Sequence, residues 1–73
     1  MLKLDLGCGS SKAEGFVGIN IAPGDGVDVV YDIDKGLPYS DNEVDYIKAH
    51  YLFEHLINPQ FVMVECWRVL KMG

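Results

Sequence analysis

The chain has 73 residues, 49% of them hydrophobic and 23% charged, with a formal net charge of −5. That length holds one small domain, and the apolar content offsets enough chain entropy to exclude a mainly disordered chain. The bases are scattered singly, which argues against a direct binder of nucleic-acid phosphates, and no apolar run approaches the roughly 20 residues that cross a bilayer.

The first segment, residues 2–6, alternates apolar and polar (Leu-Lys-Leu-Asp-Leu) and predicts a short strand ending at Gly7-Cys8-Gly9. Asp5 interrupts the apolar stretch, so this start does not read as a signal peptide. Residues 16–21 predict a second strand, followed by Ala22-Pro23-Gly24-Asp25-Gly26, dense in turn formers. Residues 27–32, rich in β-branched side chains, predict a third that closes in Lys35-Gly36-Leu37-Pro38. Residues 44–49 predict a fourth, and residues 51–56 a helical turn.

The last element is the clearest helix. Asn58 suits the N-cap and Pro59 the first helical position, where a missing N–H costs nothing. Glu65, Arg68 and Lys71 recur every three residues as a narrow solvent stripe. Phe61, Val62, Val64, Trp67, Val69 and Leu70 cover most of the remaining circumference, so the helix expects neighbours on more than one side.

Residues 7–15, between the first two strands, are too few for a full crossover helix. Residues 22–26 reach back along a strand only if nearly extended, at about 3.3 Å per residue. The second and third strands can therefore be parallel without a helix, or antiparallel. A ligand site at the carboxyl edge favours the parallel arrangement.

That site is signalled by Asp5-Leu6-Gly7-Cys8-Gly9-Ser10-Ser11, a strand running into a turn poor in Cβ atoms. A dinucleotide fingerprint requires glycine where Lys12 stands, and no phosphate-binding Gly-Lys-Ser/Thr follows. The loop therefore suits a nucleoside-type ligand without a phosphate chain, and an NAD-binding module ranks behind it. Cys8 and Cys66 have no metal-site spacing, so no metal is expected; they read as thiols of a reducing cytoplasm rather than one disulfide.

An ordered series spans the whole chain: Leu4-Asp5-Leu6-Gly7-Cys8-Gly9, Gly18-Ile19-Asn20-Ile21, Asp32 ahead of Leu37-Pro38, Val44-Asp45, Glu54-His55-Leu56 and Arg68-Val69-Leu70-Lys71. In this order the motifs resemble the N-terminal, cofactor-binding half of a class I S-adenosylmethionine-dependent methyltransferase. The resemblance implies a cofactor site of Asp5, Gly7, Cys8, Gly9, Asn20, Ile21, Asp32, Ile33 and His50. Asp5, Gly7 and Gly9 would lie beside the methionine part of S-adenosylmethionine, and Asn20 at the ribose. Asp32 would face the adenine amino group with Ile33 beside the ring, and His50 would stand near the sulfonium. Three departures stand out. The ribose position is usually acidic and here is Asn20, which predicts weaker binding. The family's Leu-Lys-Pro-Gly-Gly turn appears as Leu70-Lys71-Met72-Gly73, and the strands that follow it in the family are absent.

Each residue also has a plainer reading. Cys8 suits the turn by its small size rather than as a nucleophile. Asp5 can brace the loop through backbone N–H groups as well as touch ligand, and Asp32 can simply form a turn. His50 is a weak catalytic candidate; it and His55 are structural residues or general bases. Glu54 reads as a surface residue, and Tyr39, Tyr46, Tyr51 and Trp67 as core or interface.

The expected fold is α/β, a truncated Rossmann-like sheet of four mainly parallel strands in order 3-2-1-4 with one C-terminal helix, residues 1–73 forming a single partial domain. The expected function is methyl transfer from S-adenosylmethionine to an acceptor the residues do not identify. The competing expectation is a non-catalytic cofactor-binding or assembly fragment that forms a homodimer through its exposed sheet edge and apolar helix, or completes itself with a missing second half. Neither a membrane nor nucleic acid is an expected partner.

Overall fold

The computed structural model describes residues 1–8, 12–49 and 52–71. Four strands, β1 (Lys3–Leu6), β2 (Val17–Asn20), β3 (Val29–Val30) and β4 (Tyr46–Ala49), form one sheet in the order β3-β2-β1-β4, with every pairing parallel. A short 3-10 helix, Ile33–Lys35, follows β3; a second, Phe53–His55, follows β4; and α1 spans Pro59–Val69. The order 3-2-1-4 and the single C-terminal helix agree with expectation. The parallel alternative for the second and third strands is the one adopted, with Ile19 opposite Val29.

Strand β3 is much shorter than the predicted span 27–32. At its start the Asp28 carboxylate accepts the Gly18 N–H at 2.7 Å, and at its end the Asp32 carboxylate turns back to accept from Asp34 N. Side-chain oxygens thus compete for the chain at both ends. Ladder-like bonds nevertheless run past the two regular residues, from Asp28 N to Gly18 O and from Tyr31 N to Asn20 O.

Alternation along β1, Lys3-Leu4-Asp5-Leu6, gives the sheet two unlike faces. Leu4, Leu6 and Ile19 are fully buried on one face, with Ile33, Leu37 and Val44 and with Val62, Cys66 and Val69 of α1. The opposite face carries Lys3 and Asp5, in register with Tyr46 and Lys48. Parallel sheets are ordinarily covered on both faces and read as continuous apolar runs. Here the β1–β2 connection holds no described helix that could cover the second face, and the sequence makes that face polar. Its cover is local: Phe16 meets Tyr46 edge to face at 5.7 Å, and the Lys3 ammonium sits 4.9 Å from the Phe16 ring centre.

Two members of the predicted solvent stripe, Glu65 and Arg68, turn towards the Leu37 connection and are only partly exposed, while Lys71 stays in water as expected. Glu65 accepts the Leu37 N–H at 2.9 Å and pairs with Arg68 at 2.7 Å. Arg68 in turn donates to Leu37 O and to Asp41, and Lys71 pairs with Asp45. Leu37 donates its N–H to Glu65, and its carbonyl accepts from the Tyr39 N–H as well as from Arg68, so the ion pair adds to the backbone bond there. Several side chains left in water are apolar, Met63, Val64 and Trp67 among them, the last 73% exposed. Core contact falls to Val62, Cys66 and Val69 at the i, i+4, i+7 spacing.

The helix start also differs in detail. Pro59 occupies the first turn as expected, but the Asn58 side chain makes no capping bond. The chain entering the helix is gripped instead by Asp34, whose carboxylate accepts from Ile57 N and Asn58 N at 3.2 and 2.9 Å.

Candidate functional site

Three parallel strands end together at β1, β2 and β3, and their carboxyl edge opens into a cleft of about 280 Å³. One side is built from the strand ends: Gly7 after β1, Asn20 and Ile21 at β2, and the run from Tyr31 to Asp34 after β3. The other is built from Leu52, His55 and Leu56, at the i, i+3, i+4 spacing that brings one face of a helical turn to bear on the cleft.

Gly7 is indispensable to this meeting of walls. Its φ of +65° lies in the left-handed region, and a Cβ there would stand 2.7 Å from Leu52 Cδ1. Its N–H donates to Ile19 O at 2.8 Å, fixing the turn to β2.

Among the residues singled out from the sequence, Gly7, Asn20, Ile21, Asp32 and Ile33 come together at the cleft. Asn20 is half-buried, and its amide N–H donates to Ala22 O at 3.3 Å, which keeps the amide oxygen as its acceptor. One oxygen of Asp32 accepts from Asp34 N at the start of the first 3-10 helix, leaving the second as an acceptor. Ile33 is 5% exposed, and Ile21 is largely open to solvent.

Asp5 and Cys8 stand beside the cleft rather than lining it. The Asp5 carboxylate, 3% exposed, accepts the Ala13 N–H at 2.8 Å and so braces the loop after β1. Cys8 Sγ lies 3.8 Å from Gly26 O. Burial, and then the neighbouring Asp5 carboxylate, push this thiol above its ordinary range, which disfavours the nucleophilic thiolate. Burial likewise raises Cys66. Both cysteines are thiols, Cys66 buried and Cys8 only half-buried. Gly9 and His50 lie outside the described residues.

Tyr31, Asp34, Leu52, His55 and Leu56 join the cleft without having been assigned to it from sequence. A signal existed for part of this set: the helical turn after β4, with its i, i+3, i+4 face, had to pack beside the strand ends. Nothing in the sequence signals Asp34, since its role depends on two backbone N–H groups 23 and 24 residues away.

The polar lining holds the acceptors Asn20, Asp32 and Asp34 together with Tyr31 and His55, which can also donate, and no lysine or arginine among the described lining residues. Such a lining can accept hydroxyl and amino hydrogens. Between these acceptors lie Ile21, Ile33, Leu52 and Leu56, apolar surface suited to a flat ring. Among the described residues no cluster of histidine, cysteine and carboxylate has the makings of a metal site, and no helix is long and apolar enough to cross a membrane.

The model of a protein family described as "Methyltransferase domain" matches residues 4–73, nearly the whole chain. No curated protein and no solved structure matches it.

Proposed function

The chain belongs to the methyltransferase domain family, and from that premise we propose that its cleft binds S-adenosylmethionine and presents the methyl group to a nucleophilic acceptor. The observation that carries this reading is the cleft at the carboxyl ends of β1, β2 and β3, lined by acceptors and apolar side chains and, among the described residues, by no lysine or arginine. A nucleoside bearing a positive charge and no phosphate fits that lining.

The residues present fit the cofactor. Gly7 lines the cleft at the end of β1 and lets Leu52 pack closely against the turn. The Asn20 amide oxygen would accept from a ribose hydroxyl, and Asp32 from an adenine amino group, with Ile33 against the ring. When bound, S-adenosylmethionine supplies an electrophilic methyl on a sulfonium. The chain's own share is to hold the nucleoside end, to exclude water with Leu52 and Leu56, and to leave the acceptor a defined approach.

Titration of the full chain with S-adenosylhomocysteine tests the binding step. Micromolar uptake that falls when Asp32 is replaced by alanine supports the site, and absence of binding at millimolar ligand refutes it. Transfer of a radiolabelled methyl group to a panel of acceptors then separates a working enzyme from a cofactor-binding fragment.

A second reading, assembly through a second copy of the chain, is favoured by one surface. Met63, Val64 and Trp67 are well exposed on α1, and Met63, Cys66, Trp67 and Leu70 line a hollow of about 320 Å³. Leu70 lies at the outer edge of the sheet, bridging Val44 in parallel, so apolar helix and sheet edge form one continuous surface. Light scattering that finds a strict monomer rejects this reading.

A further inference from the structure

The wall formed by Leu52, His55 and Leu56 is separated in sequence from the strand ends it faces, and it has two visible anchors. One is Leu52, seated against Gly7. The other is Asp34, whose carboxylate takes Ile57 N on one oxygen and Asn58 N on the other, immediately after Leu56. Asp34 itself lies on the opposite wall, in the 3-10 helix that continues the Asp32-Ile33 side of the cleft.

We infer that Asp34 is a positioning residue for nucleoside binding: its carboxylate ties the first 3-10 helix to the chain just after the His55-Leu56 wall and holds that wall in place beside the ligand. The inference rests on the cofactor reading of the cleft and adds to it a residue that acts through the wall.

Several features favour this role over simple surface decoration. A carboxylate accepting two backbone N–H bonds makes charge-assisted contacts, which are stronger and shorter than neutral ones. No other side-chain bond from the described residues reaches Ile57 or Asn58, and Asn58 does not cap its own helix. The Asp34 backbone N–H is in turn held by Asp32, so the side assigned to adenine and the brace form one connected unit. Without the brace, the wall samples open positions, and apparent affinity falls in proportion to the closed fraction. Closure lost in nine molecules of ten is about a tenfold weakening.

The test compares Asp34→Ala, Asp34→Asn and Asp45→Asn in the full chain. Asp45 supplies a similar grip, accepting the Leu2 N–H at 2.8 Å, but at the amino end of β4, away from the cleft. S-adenosylhomocysteine affinity is measured by calorimetry well below each melting temperature, and backbone amide exchange is measured without ligand. The expected result is about tenfold weaker binding for Asp34→Ala, a smaller loss for Asp34→Asn, which keeps one acceptor oxygen, and no loss for Asp45→Asn. Faster exchange at Ile57 and Asn58 in the Asp34 variants, spreading to His55 and Leu56, is expected alongside. Unchanged affinity in both Asp34 variants overturns the inference, as does an equal loss in Asp45→Asn, which marks general destabilisation. If Asp34→Ala does not fold, Asp34→Asn decides on the same criteria. If the unmodified chain takes up no S-adenosylhomocysteine, the cofactor reading falls by itself, and exchange decides the brace: unchanged rates at Ile57 and Asn58 overturn it, faster rates sustain it.

Discussion

Replacing Gly7 by alanine sets one methyl group against both the backbone and the far wall of the cleft. At φ +65° an L-residue pays about 1–2 kcal/mol for the left-handed conformation. The new Cβ would also stand 2.7 Å from Leu52 Cδ1, a separation no real contact sustains, so Leu52 must leave its rotamer for about 0.5–1.5 kcal/mol more. The expected destabilisation is roughly 2–3 kcal/mol, which for a domain of this size lowers Tm by on the order of 10–20 °C. Urea denaturation and calorimetry measure it directly. Because Leu52 also lines the cleft, S-adenosylhomocysteine affinity falls in parallel. A double-mutant cycle with Leu52→Ala separates the causes: the steric part disappears in that background and the backbone part remains. A Gly7→Ala variant within about 0.5 kcal/mol of the parent refutes the reasoning. So does a penalty that is identical in the two backgrounds, since it would remove Leu52 from the account.

Other outcomes follow from the same geometry. Asn20→Asp supplies a charged acceptor at the ribose position and tightens S-adenosylhomocysteine binding by about 1 kcal/mol, close to a fivefold gain by titration; no gain removes Asn20 from the ribose contact. The Arg68 guanidinium first, and the Leu37 N–H second, hold the Glu65 carboxyl below its ordinary range. A depressed carboxylate stabilises the fold fully above its unfolded value and loses that contribution as pH falls through the folded one. Glu65→Gln is therefore less stable than the parent at neutral pH and shows a shallower acid loss, the two denaturation curves converging at low pH. Parallel curves throughout would reject that linkage. On α1, Val62→Ala opens a cavity in a fully buried site and costs about 2 kcal/mol, whereas Trp67→Ser at a 73% exposed position stays within about 0.5 kcal/mol in a dilute monomer. A reversed ranking in urea midpoints would mean that α1 packs by another face.

Local patterns carried much of this fold. Alternation in residues 2–6 specifies a strand with one apolar face, because side chains on a strand must alternate whatever lies around them. Short connections restricted the topology, and Gly7 marked a backbone conformation that few residues tolerate. The candidate site was legible where it is contiguous with strand ends, at Gly7, Asn20, Ile21, Asp32 and Ile33. It was not legible at Asp34 or in the wall of Leu52, His55 and Leu56, whose membership depends on segments more than 20 residues apart meeting in space.

The orientation of α1 shows the same limit. Glu65 and Arg68 recur at a spacing that reads as a solvent face, yet both bond the Leu37 backbone and are only partly exposed, while Lys71 of the same stripe stays in water. Sequence alone determined the order and approximate place of the strands and the helix and where the chain must turn, since those follow from steric preference and periodicity, but not the short span of β3. Only the tertiary structure decided which face of α1 meets the core and which side chains close the cleft, because those outcomes depend on backbone groups that no local pattern reveals.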